Sequence, residues 1–491
     1  MKKQISRRRF LGVSASAALG ASASAAGLFD IIPSHTVSGL GYTAPSDKLN
    51  IAGIGIGNGG KGRVNINNMK SENIVALCDI DWEYSKECFG EFPNAKKYVD
   101  YRKMLDEMGK SIDAVVIATP DHTHAVIAMA AMQSGKHVYV QKPLTHSVYE
   151  SRVLLEASRR YKVVSQMGNE GHSRDEVSEV CEWIWSGAIG EVLHIDAWTD
   201  RPIWPQGLSR PEQGMWLPDH IDWDLFIGPA AMRPYHRAYH PWDWRGWWDF
   251  GTGALGDMAC HVLDAPFSAM KLGHPVSVIA SSTTFNTESA PVASKIDYEF
   301  PARPKVGKFK MPAVTVTWYD GGLLPKRPDE MPDGMELGES RNGIIFHGTK
   351  GKLMCGNYGA QYILLPENKF KDMKKPAASL RRVGMSHEMD FVRACKESPE
   401  NRILPLSNFE YSGPLNEMVV MGNLAVRLKG LNKKLAWDGE NMRITNLSDS
   451  EKIIVPNGIP GQEPRRITLD ANQAAQEYIR HTYREGWSLG V

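Results

Sequence analysis

The sequence predicts a doubly wound α/β domain with a parallel sheet, followed by an α+β domain built on a large, mostly antiparallel sheet. Three observations predict it. Between residues 48 and 170, short continuous apolar runs alternate with segments of helical spacing. A glycine-rich turn separates the first such run from the helix that follows. Beyond residue 170, the apolar runs show period-two stretches and are separated by long loops.

In the first domain, strands are expected at Leu49 to Ile54, Asn73 to Asp79, Ala114 to Thr119, His137 to Val140 and Lys162 to Met167. His124 to Ser134 has helical spacing, with Gly135 in the stop position. Ser147 and Glu150 form a capping-box pattern at the start of another helix. In the second domain, residues 171–430, strands are expected at Glu191 to Trp198, Val276 to Ser282, Ala313 to Tyr319 and Asn342 to His347, and a long helix at Asn408 to Gly430. Residues 431–491 read as a polar tail wrapping the surface. There is no internal repeat.

The start of the chain reads as an address. Residues 1–26 hold a basic stretch, the run Ser6-Arg7-Arg8-Arg9-Phe10-Leu11, a short Ala/Ser-rich apolar segment and A-x-A sites ending at Ala23 and Ala25. This resembles a twin-arginine export signal, with residues 27–47 as a linker. The expected destination is the periplasm, with no stable membrane anchor, because the apolar run is too short for a span.

Charge narrows the partners. The 57 basic and 56 acidic residues leave a formal net charge of +1, which offers no broad pull on nucleic acid or acidic membrane. A small neutral ligand fits that balance. The six cysteines are scattered without C-x-x-C or zinc-type spacing, so no disulfide framework is expected.

Gly55, Gly57 and Gly60 satisfy G-x-G-x-x-G, and Asn58 and Gly59 complete the turn. The first glycine permits the tight turn, the second lets the backbone approach a pyrophosphate, and the third permits close packing of helix on sheet. The helix N-terminus behind the turn supplies free N–H groups and a positive dipole end. Asp79 ends the second strand, where a carboxylate takes both ribose hydroxyls. A 2′-phosphate would meet that carboxylate as a like charge, so NAD is expected rather than NADP. Arg63 on the following helix could soften the preference.

Three further segments carry a family resemblance: Ala118-Thr119-Pro120-Asp121-His122-Thr123-His124, Val140-Gln141-Lys142-Pro143, and Gly253-Ala254-Leu255-Gly256-Asp257-Met258-Ala259-Cys260-His261. With the glycine turn, they resemble the glucose–fructose oxidoreductase/inositol dehydrogenase/MocA family, in its exported subgroup. The resemblance implies an N-terminal Rossmann domain binding NAD through the turn, Asp79, Thr119, Pro120, His124, Gln141 and Asn169. It also implies that Lys142, Asp257 and His261 are catalytic, and that the peptide before Pro143 is cis. The chain departs from the family's usual Glu-Lys-Pro at Gln141, which removes one negative charge beside the lysine.

The chemistry of these types is coherent. Oxidising a secondary alcohol needs a base for the hydroxyl proton, an acceptor for the hydride and a group that stabilises the developing alkoxide. Asp257 and His261 are four apart and share one helix face. Histidine suits a base near neutrality, Lys142 can hold the substrate oxygen, and Asp257 can orient the histidine or bind a hydroxyl. Between Asp196 and Phe250 lie Trp198, Trp204, Trp216, Trp223, Trp242, Trp244, Trp247 and Trp248. Aromatic faces stack on pyranose rings and polar groups read hydroxyls, so Arg201, Trp204, Gln206, Tyr239, His240 and Arg245 are expected to bind substrate, while at least half of the tryptophans are expected in core or interface. His122, His124, His172, His236 and His240 show no metal-binding pattern, and no metal is expected.

The leading expectation is an NAD-dependent oxidoreductase of a sugar or glycoside with a tightly retained cofactor. A redox-neutral NAD-dependent glycosidase of the same fold is the alternative, and a non-catalytic sugar-binding protein a weaker one. A homo-oligomer, dimer or tetramer, is expected by family analogy.

Overall fold

The computed structural model describes residues 47–491. The segment expected to be an export signal and nearly all of the expected linker therefore lie outside the described residues. The two sheets belong to one body, Leu49–Val491.

The first sheet has six parallel strands: β1 (Asn50–Ile54), β2 (Asn73–Cys78), β3 (Lys96–Tyr98), β4 (Ala114–Ile117), β5 (His137–Val140) and β6 (Ser165–Met167), in the order β3-β2-β1-β4-β5-β6. The apolar runs are the inner strands. All four residues of β4 are buried, as expected for a strand covered on both faces. The strand missed in the sequence is β3, an edge strand reading Lys-Lys-Tyr with both lysines exposed. The order reverses between β1 and β4, so a crevice opens at the carboxyl ends of those strands.

Helix Asp121–Gln133 begins three residues before the apolar spacing does. Asp121, His122 and Thr123 are polar, yet buried by the second domain, which periodicity cannot show. Ser147 and Glu150 form a reciprocal capping box at the start of helix Val148–Tyr161.

The second sheet has nine strands: β7 (Val192–Trp198), β8 (Ser277–Ser282), β9 (Ser294–Phe300), β12 (Val314–Tyr319), β13 (Gly343–Gly348), β14 (Gly351–Cys355), β15 (Ile363–Leu365), β16 (Leu435–Asp438) and β17 (Arg443–Ile444). A separate hairpin, β10 (Arg303–Val306) and β11 (Phe309–Met311), lies between β9 and β12 in sequence. The order is β15-β14-β13-β7-β12-β9-β8-β16-β17, and only β7 and β12 pair in parallel. Helices Gly253–Val262 and Phe409–Arg427 pack on each other, and the latter also lies against β8.

The tail departs from the expected surface wrap. Leu435 pairs with Val278 at the edge of the large sheet. Trp437, Ile453, Val455, Ala475 and Ile479 are buried in the main core. The last residues return to the first domain, where Gln133 Nε2 donates to the Leu489 carbonyl at 3.3 Å. Among the described residues, no helix is long and apolar enough to cross a membrane. All six cysteines are buried free thiols.

Candidate active site

A cavity of about 470 Å³ runs from the crevice of the first sheet to helix Gly253–Val262 of the second domain. At one end lie Gly55, Gly57, Gly59, Gly60, Asp79, Thr119, Pro120 and Gln141; at the other lie Lys142, Arg201, Trp204, Arg245, Asp257 and His261.

The glycine turn fits a dinucleotide. Gly55 has φ +77°, and a Cβ there would sit 2.6 Å from the Thr119 amide nitrogen. The glycine that lets helix Lys61–Asn68 approach the turn is not Gly60, as the spacing predicts, but Gly62. A Cβ on Gly62 would overlap the Gly55 carbonyl oxygen, whereas one on Gly60 would meet only the Gly57 oxygen at 3.3 Å. No side chain caps that helix, so its leading N–H groups face the turn without a side-chain acceptor. Asp79 is buried at the end of β2 and accepts the Asp81 N–H at 3.0 Å. Burial pushes its carboxyl up to about 6. Arg63, which could have answered a 2′-phosphate, is committed to Glu91, Glu87 and Asn58. Asp79→Ala is therefore expected to weaken NAD binding and narrow its margin over NADP, as read by titrating both dinucleotides. A wild type that binds NADP more tightly than NAD would overturn this reading.

The catalytic end joins the two domains through charge. Lys142 Nζ donates to Asp257 Oδ1 at 2.8 Å and to the Asp257 carbonyl at 2.7 Å. Arg245 Nε stands 3.6 Å from the same Oδ1, and its guanidinium stacks over Trp242 and Trp244. Burial raises the Asp257 carboxyl, but the charges of Lys142 and Arg245 outweigh it and hold the group below its ordinary value. His261 lies one helical turn on. Its Nδ1 is buried without a hydrogen-bond partner, and its ring meets Tyr358 edge-on at 5.0 Å. Burial, helped by the Lys142 charge, moves its pKa well below the usual histidine value, so the ring is neutral near pH 7. The Lys142–Pro143 peptide is cis.

Asp121 was absent from the expected site. It lines the same cavity, and one of its carboxyl oxygens accepts both Thr252 Oγ1 at 2.6 Å and Thr252 N at 3.0 Å. Burial pushes it up to about 7. Because the folded pKa is raised, its stabilising contribution is full below about pH 4, the unfolded value, and is lost as pH rises through 7. Asp121→Asn keeps an oxygen for Thr252 and removes the charge. The variant should melt higher than wild type at pH 8, by an amount on the order of 4 kcal/mol at most, with little gain at pH 4. Equal differences at both pH values in thermal melts would refute the assignment.

Several expected contacts do not reach the cavity. The Asn58 side chain is held by Arg63 at 2.7 Å. His124 lies between the carbonyls of Thr119 and Pro143, 2.8 Å from each, and braces the loops behind the cofactor end. Asn169 is fully buried between Asp264 and Ser407. Gln206 accepts from Trp204 Nε1 and the Ala254 amide and donates to the Pro291 carbonyl, which uses up its amide. Tyr239 packs among Trp223, Trp247 and Phe250. His240 lines the cavity, but its Nε2 is 2.8 Å from Asp81 Oδ2, two residues from Asp79, so it is held at the end of β2. Gln141 lines the cavity while donating its amide to Asn65. Of the eight tryptophans, Trp204, Trp242 and Trp244 line the cavity, whereas Trp198, Trp223, Trp247 and Trp248 belong to the cores and Trp216 is exposed. Trp487 also lines it, with Arg102 stacked on it at 5.1 Å.

Fold and cleft together define a two-domain protein with an NAD-binding Rossmann domain. Residues 49–169 match an oxidoreductase family's NAD-binding Rossmann fold, and residues 197–308 match the same family's C-terminal alpha/beta domain. Both segments thus match one family, GFO/IDH/MocA. The chain is 30% identical over 188 residues to a levoglucosan dehydrogenase of Pseudarthrobacter phenanthrenivorans, covering 38% of this chain and 40% of the relative. It is 30% identical over 211 residues to a glycosyl hydrolase family 109 protein of Shewanella pealeana, covering 40% and 46%. The chain thus spans less than half the length of these two curated relatives. A dehydrogenase of Bordetella pertussis, WlbA, solved with NADH and UDP-GlcNAcA, shares the fold with a TM-score of 0.53 at 15% identity, over 80% of this chain and 99% of that one.

Proposed function

We propose that this protein oxidises a secondary hydroxyl of a sugar or glycoside and retains its cofactor between turnovers. The observation that carries this reading is the grouping of Lys142, Asp257 and His261 where the dinucleotide cleft meets a wall of Trp204, Trp242 and Trp244. When bound, NAD supplies the hydride acceptor. The neutral His261 takes the hydroxyl proton, and the Lys142 ammonium donates to the oxygen as charge develops on it. Asp257 holds the ammonium in place through its carboxylate and its carbonyl. The three tryptophans and the stacked Arg245 offer apolar faces for a sugar ring. The levoglucosan dehydrogenase relative supports a carbohydrate substrate.

A second reading is redox-neutral cleavage of a glycosidic bond. Two observations favour it: the relative named as a glycosyl hydrolase, and Asp121, a carboxyl poised to carry a proton near pH 7 beside the cleft. Mass spectrometry of products from a panel of glycosides separates the two. Loss of two hydrogens with the glycoside intact supports oxidation, and release of aglycone supports cleavage. We further propose export of the folded protein with NAD already bound, in keeping with the twin-arginine-like run at Arg7 and Arg8.

A further inference from the structure

A group of metal-ligand side chains converges on the large sheet, apart from the cofactor cleft. His194 and Asp196 alternate on β7 and so share one face. His347 on β13 is the direct cross-strand partner of His194. His194 Nε2 is 3.0 Å from Asp196 Oδ1, and His347 Nε2 is 2.8 Å from Asp196 Oδ2. The three ligand atoms all lie within 4.8 Å of one another. The carboxylate is buried and the two imidazoles are half-buried, so solvent reaches the trio from one side. Among the described residues, neither Nδ1 has a hydrogen-bond partner, whereas both Nε2 atoms face the same carboxylate. Lys352, opposite His347 on β14, turns its ammonium to Glu330, and among the described residues no lysine or arginine pairs with Asp196.

We propose that His194, Asp196 and His347 bind a zinc ion. Zinc takes imidazole nitrogen and carboxylate oxygen at about 2.0–2.2 Å, which sets neighbouring donors in a tetrahedral shell about 3.3–3.5 Å apart. The two imidazole–carboxylate spacings, 3.0 and 2.8 Å, fall just short of that value, and small side-chain rotations bring the trio to it. Strand pairing fixes the three Cβ positions before any ion arrives, so the ligands need little ordering on binding. Two nitrogens and one oxygen favour zinc over calcium or magnesium, which prefer oxygen shells. Three protein ligands leave one position for water. Tyr319, whose hydroxyl donates to Asp196 Oδ1 at 3.2 Å, orients the carboxylate from the neighbouring β12. No ligand touches the cofactor cavity, so the ion would fasten β7 to β13 without entering the redox chemistry. This departs from the metal-free expectation, which weighed five other histidines and passed over two that lie far apart in sequence.

The test is calorimetric titration of chelator-treated protein with zinc chloride alone. One equivalent should bind saturably at micromolar or tighter concentration, and zinc should raise the melting temperature. Asp196→Asn and His347→Ala should each weaken binding roughly tenfold or more. Because His347 is half-exposed, its variant keeps the test decisive if Asp196→Asn does not fold. Diffraction at the zinc absorption edge should place the ion among the three side chains. Absence of saturable binding at one equivalent, or unchanged affinity in His347→Ala, overturns the proposal.

Discussion

Lys142→Ala and His261→Ala should each lower turnover roughly a hundredfold or more, the loss that follows removal of a positioned acid–base group. The two variants should fail differently. His261 belongs to the second domain, on helix Gly253–Val262, so NAD affinity should survive its removal. Losing Lys142 leaves the Asp257 carboxylate with Arg245 as its remaining cation at 3.6 Å, so the carboxylate should shift toward the arginine. The low His261 pKa adds a sign to the test. A base must be unprotonated, and activity that depends on His261 falls only as pH drops through its depressed pKa. The acid limb of wild-type turnover should therefore lie below the ordinary histidine value of about 6.5. Near-normal turnover of either alanine variant removes that residue from the mechanism.

Wild-type protein should keep NAD(H) through extended dialysis, and Trp487→Ala should lose it. Trp487 comes from the C-terminal part of the chain and lines the same cleft as Tyr101 and Asp79. Removing a large aromatic contact from a bound ring costs about 1.5–3 kcal/mol, or roughly a ten- to hundredfold weaker complex. Cofactor content after dialysis, read by absorbance of the denatured supernatant, checks the retention. Fluorescence titration of stripped protein checks the affinity. A wild type purified empty, whose rate saturates with added NAD⁺, would show a freely exchanging cofactor and sink the idea.

The sequence made the parallel sheet legible because its inner strands are buried on both faces and so read as unbroken apolar runs. It hid β3, whose two exposed lysines carry no such signal. It also hid β9, although Ser294, Ile296, Tyr298 and Phe300 alternate inward, because charged residues stand between them. Family motifs pointed to Lys142, Asp257 and His261, which do meet in one cleft. Residue type was a poorer guide to the sugar side. Gln206 and Tyr239 are polar or amphipathic in a tryptophan-rich stretch, yet their hydrogen bonds and ring contacts are spent inside the protein. Asp121 and Trp487 reach the cleft only through tertiary packing, Asp121 against Thr252 and Trp487 from the tail. The glycine fingerprint located the turn correctly but assigned close packing to the wrong glycine, because spacing alone does not say which Cα faces the Gly55 carbonyl.

The contact between Lys142 and Asp257 has a mechanical side. Lys142 follows β5 of the Rossmann sheet, Asp257 lies on helix Gly253–Val262 of the second domain, and their bond joins the two inside the cleft that both line. It therefore acts as a latch between two halves. On the proposed function, a substrate hydroxyl that accepts a hydrogen bond from Lys142 draws the ammonium partly away from the Asp257 oxygens, so filling the site should slacken the latch. Amide exchange in helix Gly253–Val262 should then quicken on substrate binding and slow again when product leaves.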